Sequence, residues 1–296
     1  MKKYWLLMRV VVGISILSFL YAHIGIDNIL ATLANASLFI ILLMFIQYVF
    51  SFLLSAFNLH LMLKALGHPI PFPKLAYCNM KSWALGLFVP GKVGEFSIIY
   101  FLKKQGIPVD VGSAVSLADK LITLFVLAVF ACVGTFIFFG STAGIVISSL
   151  VIIGVVVGYW IIFISKLGKM VKQYLPFLKA AEGFSKQIKV LKGKTDYIGA
   201  NLVLTILKWV VMALISAKIL MLLGALAPWP IFLMADATTR ILSLIPITLA
   251  GLGIKESSGI YLLSIAGVSF AASGAFYLLF LMANLLLAVI VLLTKD

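Results

Sequence analysis

Leu63, Leu66, Gly67, Pro71, Pro73, Pro90, Glu95, Ser97, Ile99, Tyr100, Leu102, Gly106 and Ala114 recur, in the same order, as Leu220, Leu223, Gly224, Pro228, Pro230, Pro246, Glu256, Ser258, Ile260, Tyr261, Leu263, Gly267 and Ala275. Leu63 and Leu220 stand 157 residues apart, whereas Glu95 and Glu256 stand 161 apart, so the second copy carries a short insertion. The chain has three glutamates, Glu95, Glu182 and Glu256, and two of them occupy the matched place. A duplicated stretch of this length predicts a fold built from two related halves. In membrane transporters such halves are often inverted, with the substrate site at their interface.

Composition places those halves in a membrane. Of 296 residues, 64% are hydrophobic and 11% charged, which describes a polytopic helical membrane protein and leaves no stretch for a sizeable soluble domain. Each long apolar run has helical length, and none alternates like a lipid-facing barrel strand. The predicted full spans are residues 4–22, 37–63, 112–139, 143–165, 198–223 and 271–293, six in all. Between them lie 74–104 and 231–266, broken by Pro90, Gly91 and Gly94 in the first and by Pro246, Gly251 and Gly253 in the second. Each is either a re-entrant pair of short helices or a pair of crossings. Both options leave an odd number of crossings between the copies, so the predicted fold is all-α, with two inverted halves at 1–140 and 141–296.

The net charge of +14 does not indicate nucleic acid, because eight lysines (Lys166, Lys169, Lys172, Lys179, Lys186, Lys189, Lys192 and Lys194) fall in a single connector, 166–197. Charge of this kind beside spans sets topology and touches anionic headgroups. With the N-terminus cytoplasmic, Lys2, Lys3, Lys64, Lys74, Lys103, Lys104 and Lys295 are also inside, and the outer loops 23–36, 140–142, 224–230 and 267–270 hold no Lys or Arg. The expectation is a plasma-membrane protein with both termini in the cytoplasm. Within the connector, Leu167, Met170, Val171, Tyr174, Leu175 and Leu178 recur at helical spacing, as in a segment lying in the interface. Cys78 and Cys132 lie in apolar surroundings and His23, His60 and His68 are scattered, so no disulfide framework, metal site or cofactor is expected.

Ionisable groups inside the membrane cost roughly 2.5 to 3.5 kcal/mol each at a helix centre and call for a partner, a wet cavity or a function. Those that stand out are Lys92, Glu95, Asp119, Lys120, Asp236, Arg240, Lys255 and Glu256. The two glutamates follow the breaking prolines, each at the predicted start of a short helix, where unpaired N–H groups favour a carboxylate or an anionic ligand. Ser97 and Ser258 follow two residues later, and the repetition suggests one shared polar path. Arg240 stands four residues after Asp236, which suits a pair on one helix face and equally a lipid phosphate. Asp119 beside Lys120 reads as an ion pair or a mouth residue. Lys208 and Lys218 are expected to snorkel and are left outside the site. The segment from Gly91 to Ser97 lacks the spacing of a nucleotide-binding loop, and no nucleophile–base set is apparent.

Phe88-Val89-Pro90-Gly91-Lys92-Val93-Gly94-Glu95-Phe96, then Leu102 to Gly106 and Asp119-Lys120, together with Ile245 to Glu256, resemble the lysylphosphatidylglycerol synthase transmembrane-region family. The resemblance extends over nearly the whole chain and implies a flippase-like domain that moves membrane lipid, an anionic phospholipid or a polyprenyl-linked carrier, between leaflets. It names membrane lipids as partners, without nucleic acid and with a homo-oligomer left open. The chain ends at Asp296 directly after its last span, so the expectation is a protein without the soluble aminoacyl-transferase domain of bifunctional members, and not an enzyme. Leu249-Ala250 stand where the family commonly has Pro-Gly, which predicts a less tight second turn, and no arginine follows Glu95 closely.

Overall fold

Apolar runs without β-patterning fold here into helices alone, since inside a bilayer only a helix satisfies every backbone group within its own segment. The computed structural model describes residues 2–34, 36–88, 90–163, 181–244 and 247–294, and among these there is no strand. In order the helices are α1 (Lys2–Ile24), α2 (Ile26–Ala34), α3 (Phe39–Ala65), α4 (Phe72–Gly86), a 3-10 segment (Pro90–Ser97), α5 (Ile98–Lys104), α6 (Val109–Phe163), α7 (Ala181–Lys192), α8 (Thr195–Leu222), α9 (Trp229–Leu242), a 3-10 turn (Leu249–Gly251), α10 (Ile254–Ile265) and α11 (Phe270–Leu293). Pro246 and the interfacial stretch 167–178 lie outside the described residues.

Among the described residues four helices are long and apolar enough to cross a membrane: Phe39–Ala65, Val109–Leu150, Thr195–Leu222 and Phe270–Leu293. Only 22% to 33% of the most apolar window of each is buried by protein, so their outward faces are hydrocarbon-like. By this measure the described residues give four spans, or five with the bent pair Met8–Ile24 and Ile26–Ala34 taken as one, against the six expected. Part of the difference lies in α6, which is not straight. Gly140 takes φ 77° and ψ −179°, a conformation essentially reserved for glycine. Thr135 and Ser148 hydroxyls meet at 2.7 Å, although thirteen residues of straight helix would separate them by about 20 Å. The chain folds back on itself at Gly140, where the sequence predicts a turn.

The remainder lies at the N-terminus. Residues 23–36 were expected to be a loop, yet Ile26–Ala34 is helical and meets α1 at 76°. Gly25, at φ 87°, makes the bend, and Ile29 buries itself beside Gly274 of α11. An apolar residue with a helix to pack on outweighs the polar look of a short connector.

Local structure repeats where the sequence repeats. After α3 and α8, Gly67 and Gly224 take left-handed φ, and the next N–H reaches back five residues: His68 to Leu63 (2.9 Å) and Ala225 to Leu220 (3.0 Å). After α5 and α10 the same cap forms at Gly106 and Gly267, with Ile107 donating to Leu102 (3.1 Å) and Val268 to Leu263 (3.0 Å). Both broken segments read helix, 3-10 turn, helix. Their helices run 15 and 7 residues in the first and 14 and 12 in the second, all short of the roughly 20 needed to span.

The described chain forms two compact units, each drawing segments from both sides of residue 140. The first holds Met1–Phe52, Met80–Glu95 and Leu207–Asp296. Within it α10 packs against α1, α9 and α11, burying Leu263, Ile260, Phe232 and Phe276. The second holds Leu53–Asn79 and Phe96–Ile206. In it α5 and α7 pack on α6, with Leu102, Val111 and Val115 buried and Gln187 donating to Asp110 at 3.1 Å. Helices α3 and α8 each run through both units. Gln47 donates to Ser216 (3.0 Å) in the first, and Asn58 donates to Thr205 (3.0 Å) in the second.

Candidate functional site

Within the first unit the second broken segment carries Asp236, Arg240, Lys255 and Glu256. Asp236 and Arg240 sit on α9 at the helical spacing expected, and Arg240 Nε donates to Asp236 Oδ2 at 2.6 Å. The guanidinium face lies on the indole of Trp209, with Cζ 4.4 Å from the ring centroid. Trp209 belongs to α8, and Lys208 Nζ stands 5.1 Å from the same ring. Cation–π contact of this kind strengthens when water is excluded. One edge of Arg240 is thus bonded and one face stacked. Its two terminal nitrogens have no hydrogen-bond partner among the described residues.

Glu256 is buried, and its carboxylate accepts from the Gly253 N–H at 2.7 Å, three residues back. This is the helix-start capping the sequence predicts, built on Gly253 at φ 82°. A side chain at Gly253 would meet Gly13 and Ile16 of α1 at 2.9 Å, so the turn and α1 are in backbone contact. Lys255 is within electrostatic reach of Arg240, Asp236 and Glu256. The Ser258 hydroxyl donates to its own helix, at Ile254 O (2.6 Å), which occupies the proton a path would use.

The first broken segment is built differently. Glu95 was expected to start a short helix, but it lies inside the 3-10 segment, and α5 begins only at Ile98 after Ser97. The contact that shapes the turn is nevertheless duplicated. A side chain on Gly94 would fall 2.9 Å from Gly86 Cα, and one on Gly251 would fall 2.5 Å from Ser243 Cβ, the same pairing 157 residues on. The four-residue insertion follows, as Leu252 to Lys255, and it gives the second glutamate the room to cap a helix. In the first copy Glu95 follows Gly94 at once, its Cγ against Gly86 and its carbonyl accepting from Ser82 at 2.5 Å. Pro90, Gly91 and Lys92 lie in the 3-10 backbone, and their side chains lie outside the described residues.

The expectation of a less tight second turn fails. Ala250 adopts φ 51° and ψ 21°, left-handed backbone that L-residues pay roughly 1 to 2 kcal/mol to enter. The close Ser243–Gly251 contact holds the turn despite the missing glycine.

Ser97, Asp119 and Lys120 fall in the second unit. Asp119 is buried and accepts from Asn201 at 3.2 Å; Asn201 accepts from Thr205 at 3.3 Å, and Thr205 accepts from Asn58. This buried chain joins α3, α6 and α8 as glue between helices, although Asn58 Oδ1 has no hydrogen-bond partner among the described residues. The sequence reading missed Asn58, Asn201 and Thr205, whose signal was polarity in the middle of apolar runs. It also misplaced Lys208, which is buried near the midpoint of α8 beside Trp209 rather than reaching for the interface. No group of His, Cys, Asp and Glu among the described residues could hold a metal ion.

A family model described as the lysylphosphatidylglycerol synthase TM region matches residues 6–291. No curated protein matches the chain.

Proposed function

The chain belongs to the lysylphosphatidylglycerol synthase TM-region family, a multi-pass membrane family tied to lipid, and from that premise we propose that it moves an anionic phospholipid or a lipid-linked phosphate between leaflets. The observation that carries this reading is Arg240, bonded through Nε, stacked on Trp209 and open at its terminal nitrogens, on a helix too short to span. A planar fork held in this way suits a phosphate. Lys92 and Lys255 counter the remaining headgroup charge, and Glu95 and Glu256 serve the same path. The two copies act as inverted halves of a transporter, not as an enzyme, with both termini in the cytoplasm of a plasma-membrane protein.

Purified protein in liposomes with fluorescent anionic phospholipids and polyprenyl phosphates tests this directly. Accelerated flip-flop of at least one is expected, lost in E256Q and E95Q although both variants insert normally, because the amide keeps the size and accepting oxygen and removes the charge. No acceleration for any lipid, alongside uptake of a soluble solute, replaces the reading with a small-solute carrier.

A further inference from the structure

Two buried donors in the Arg240 cluster take no part in its charge pairs. Tyr277 of α11 is 2% exposed, and its hydroxyl has no hydrogen-bond partner among the described residues. Thr239 is its polar neighbour, and the Thr239 hydroxyl spends its own proton on Asp236 O at 2.8 Å. The phenol packs on Gly259 of α10, three residues after the buried Glu256. Trp209 is 6% exposed, and its Nε1–H likewise lacks a partner, on the ring that carries Arg240. A buried donor left unpaired costs about 1 to 3 kcal/mol, so two in one cluster are a standing penalty unless a ligand meets them.

Gly259 makes room for one of them. A Cβ at position 259 would lie 1.9 Å from the Tyr277 hydroxyl oxygen, so α10 carries no side chain where the phenol enters. Charge narrows the ligand further. Arg240, Lys255 and Lys208 stand against Asp236 and Glu256, an excess of at most one positive charge in the cluster. A group with two or more negative charges would be repelled by the carboxylates, whereas a monoanion with many acceptor oxygens is matched by one fork and neutral donors.

Resting on the lipid-moving reading above, we propose that Tyr277 and Trp209 are headgroup-recognition residues which, with the terminal edge of Arg240, select a phosphodiester monoanion over a diphosphate or a carboxylate. The phosphodiester accepts two hydrogen bonds from the guanidinium and one each from phenol and indole. Neither neutral donor adds charge, so selection comes from the number and direction of donors.

Binding, not transport, tests it. Full-length protein in detergent is titrated calorimetrically with short-chain phosphatidylglycerol, with a short-chain prenyl diphosphate and with a fatty-acid carboxylate. The wild type is expected to bind the phosphodiester tightest. Y277F and W209F, each eluting as the wild type does, should weaken that binding roughly tenfold and change carboxylate binding little. Unchanged phosphodiester affinity in both variants, equal losses for every ligand, or no phosphodiester binding by the wild type overturns the proposal. Glycerophosphoglycerol, which lacks acyl chains, separates the two readings: if it binds as tightly as the lipid and Y277F weakens it, the site stands and the lipid reading falls. Phosphodiester binding sensitive to Y277F without flip-flop in liposomes likewise removes transport and keeps the site.

Discussion

Ala250 and Gly259 show how single side chains, or their absence, set the second broken segment. Ala250 is the one non-glycine residue with positive φ among the described residues, at a turn that Gly251 and Ser243 hold closed. Replacing it with glycine removes the Cβ penalty and costs some unfolded-state entropy, so A250G should gain about 1 kcal/mol, read as a raised midpoint in thermal unfolding in detergent. A fall in that midpoint would mean that the turn is not left-handed at 250. Gly259 works the other way. G259A drives a methyl into the Tyr277 phenol and is expected to cost about 2 to 3 kcal/mol. In a Y277A background the same change should cost under about 0.5 kcal/mol, because the obstructing ring is gone. Equal costs in the two backgrounds would refute the contact. Gly259 was not singled out from the sequence, where it is a small residue in a helix, and Ala250 was marked only as standing where the resembled family commonly has glycine.

At the scale of elements, the longest helix is the one whose sequence and structure need reading together. Apolar residues run on both sides of Gly140, and its backbone torsion doubles the run back at the turn the sequence predicts. Gly144 lies against Phe136, with a Cβ there 2.9 Å from Phe136 Cα, so the two arms meet at small residues as packed membrane helices do. In a variant lacking Cys78 and Cys132, T135C/S148C should oxidise to a disulfide in high yield, since the native hydroxyls meet at 2.7 Å. A continuous helix would keep those residues about 20 Å apart and free, which gel mobility with and without reductant distinguishes. The broken segments carry a second lesson at this scale. Both keep the contact between the end of the first helix and the turn glycine, at Gly86–Gly94 and Ser243–Gly251. What differs is the insertion from Leu252 to Lys255, and with it the task of the glutamate: Glu256 caps α10, whereas Glu95 stays in a 3-10 turn.

Across the whole molecule the proposed inversion of the two copies makes one strong demand: residues 90–95 should be reached from the inner side and 246–256 from the outer side. Single cysteines in each segment, placed in the variant without Cys78 and Cys132, report this through membrane-impermeant labelling of oriented vesicles. Labelling of both from one face only would exclude inversion. Membrane residence, helical class, family, the breaks and the Asp236–Arg240 pair were all legible in the chain, because apolar length, proline, glycine and helical spacing act locally and leave a local pattern. Glu256 as a helix cap was legible for the same reason. Tertiary structure alone decided that Trp209 lies under Arg240, that Lys208 is buried, that Asn58, Thr205, Asn201 and Asp119 join in one chain, and that residues 26–34 form a helix against α11. Those facts depend on which faces of separate helices meet. In a chain that is 64% hydrophobic, nearly every face is apolar enough to be lipid-facing or buried, so the pattern along one helix cannot name its neighbour. Packing geometry and the few polar groups that must find partners choose it instead.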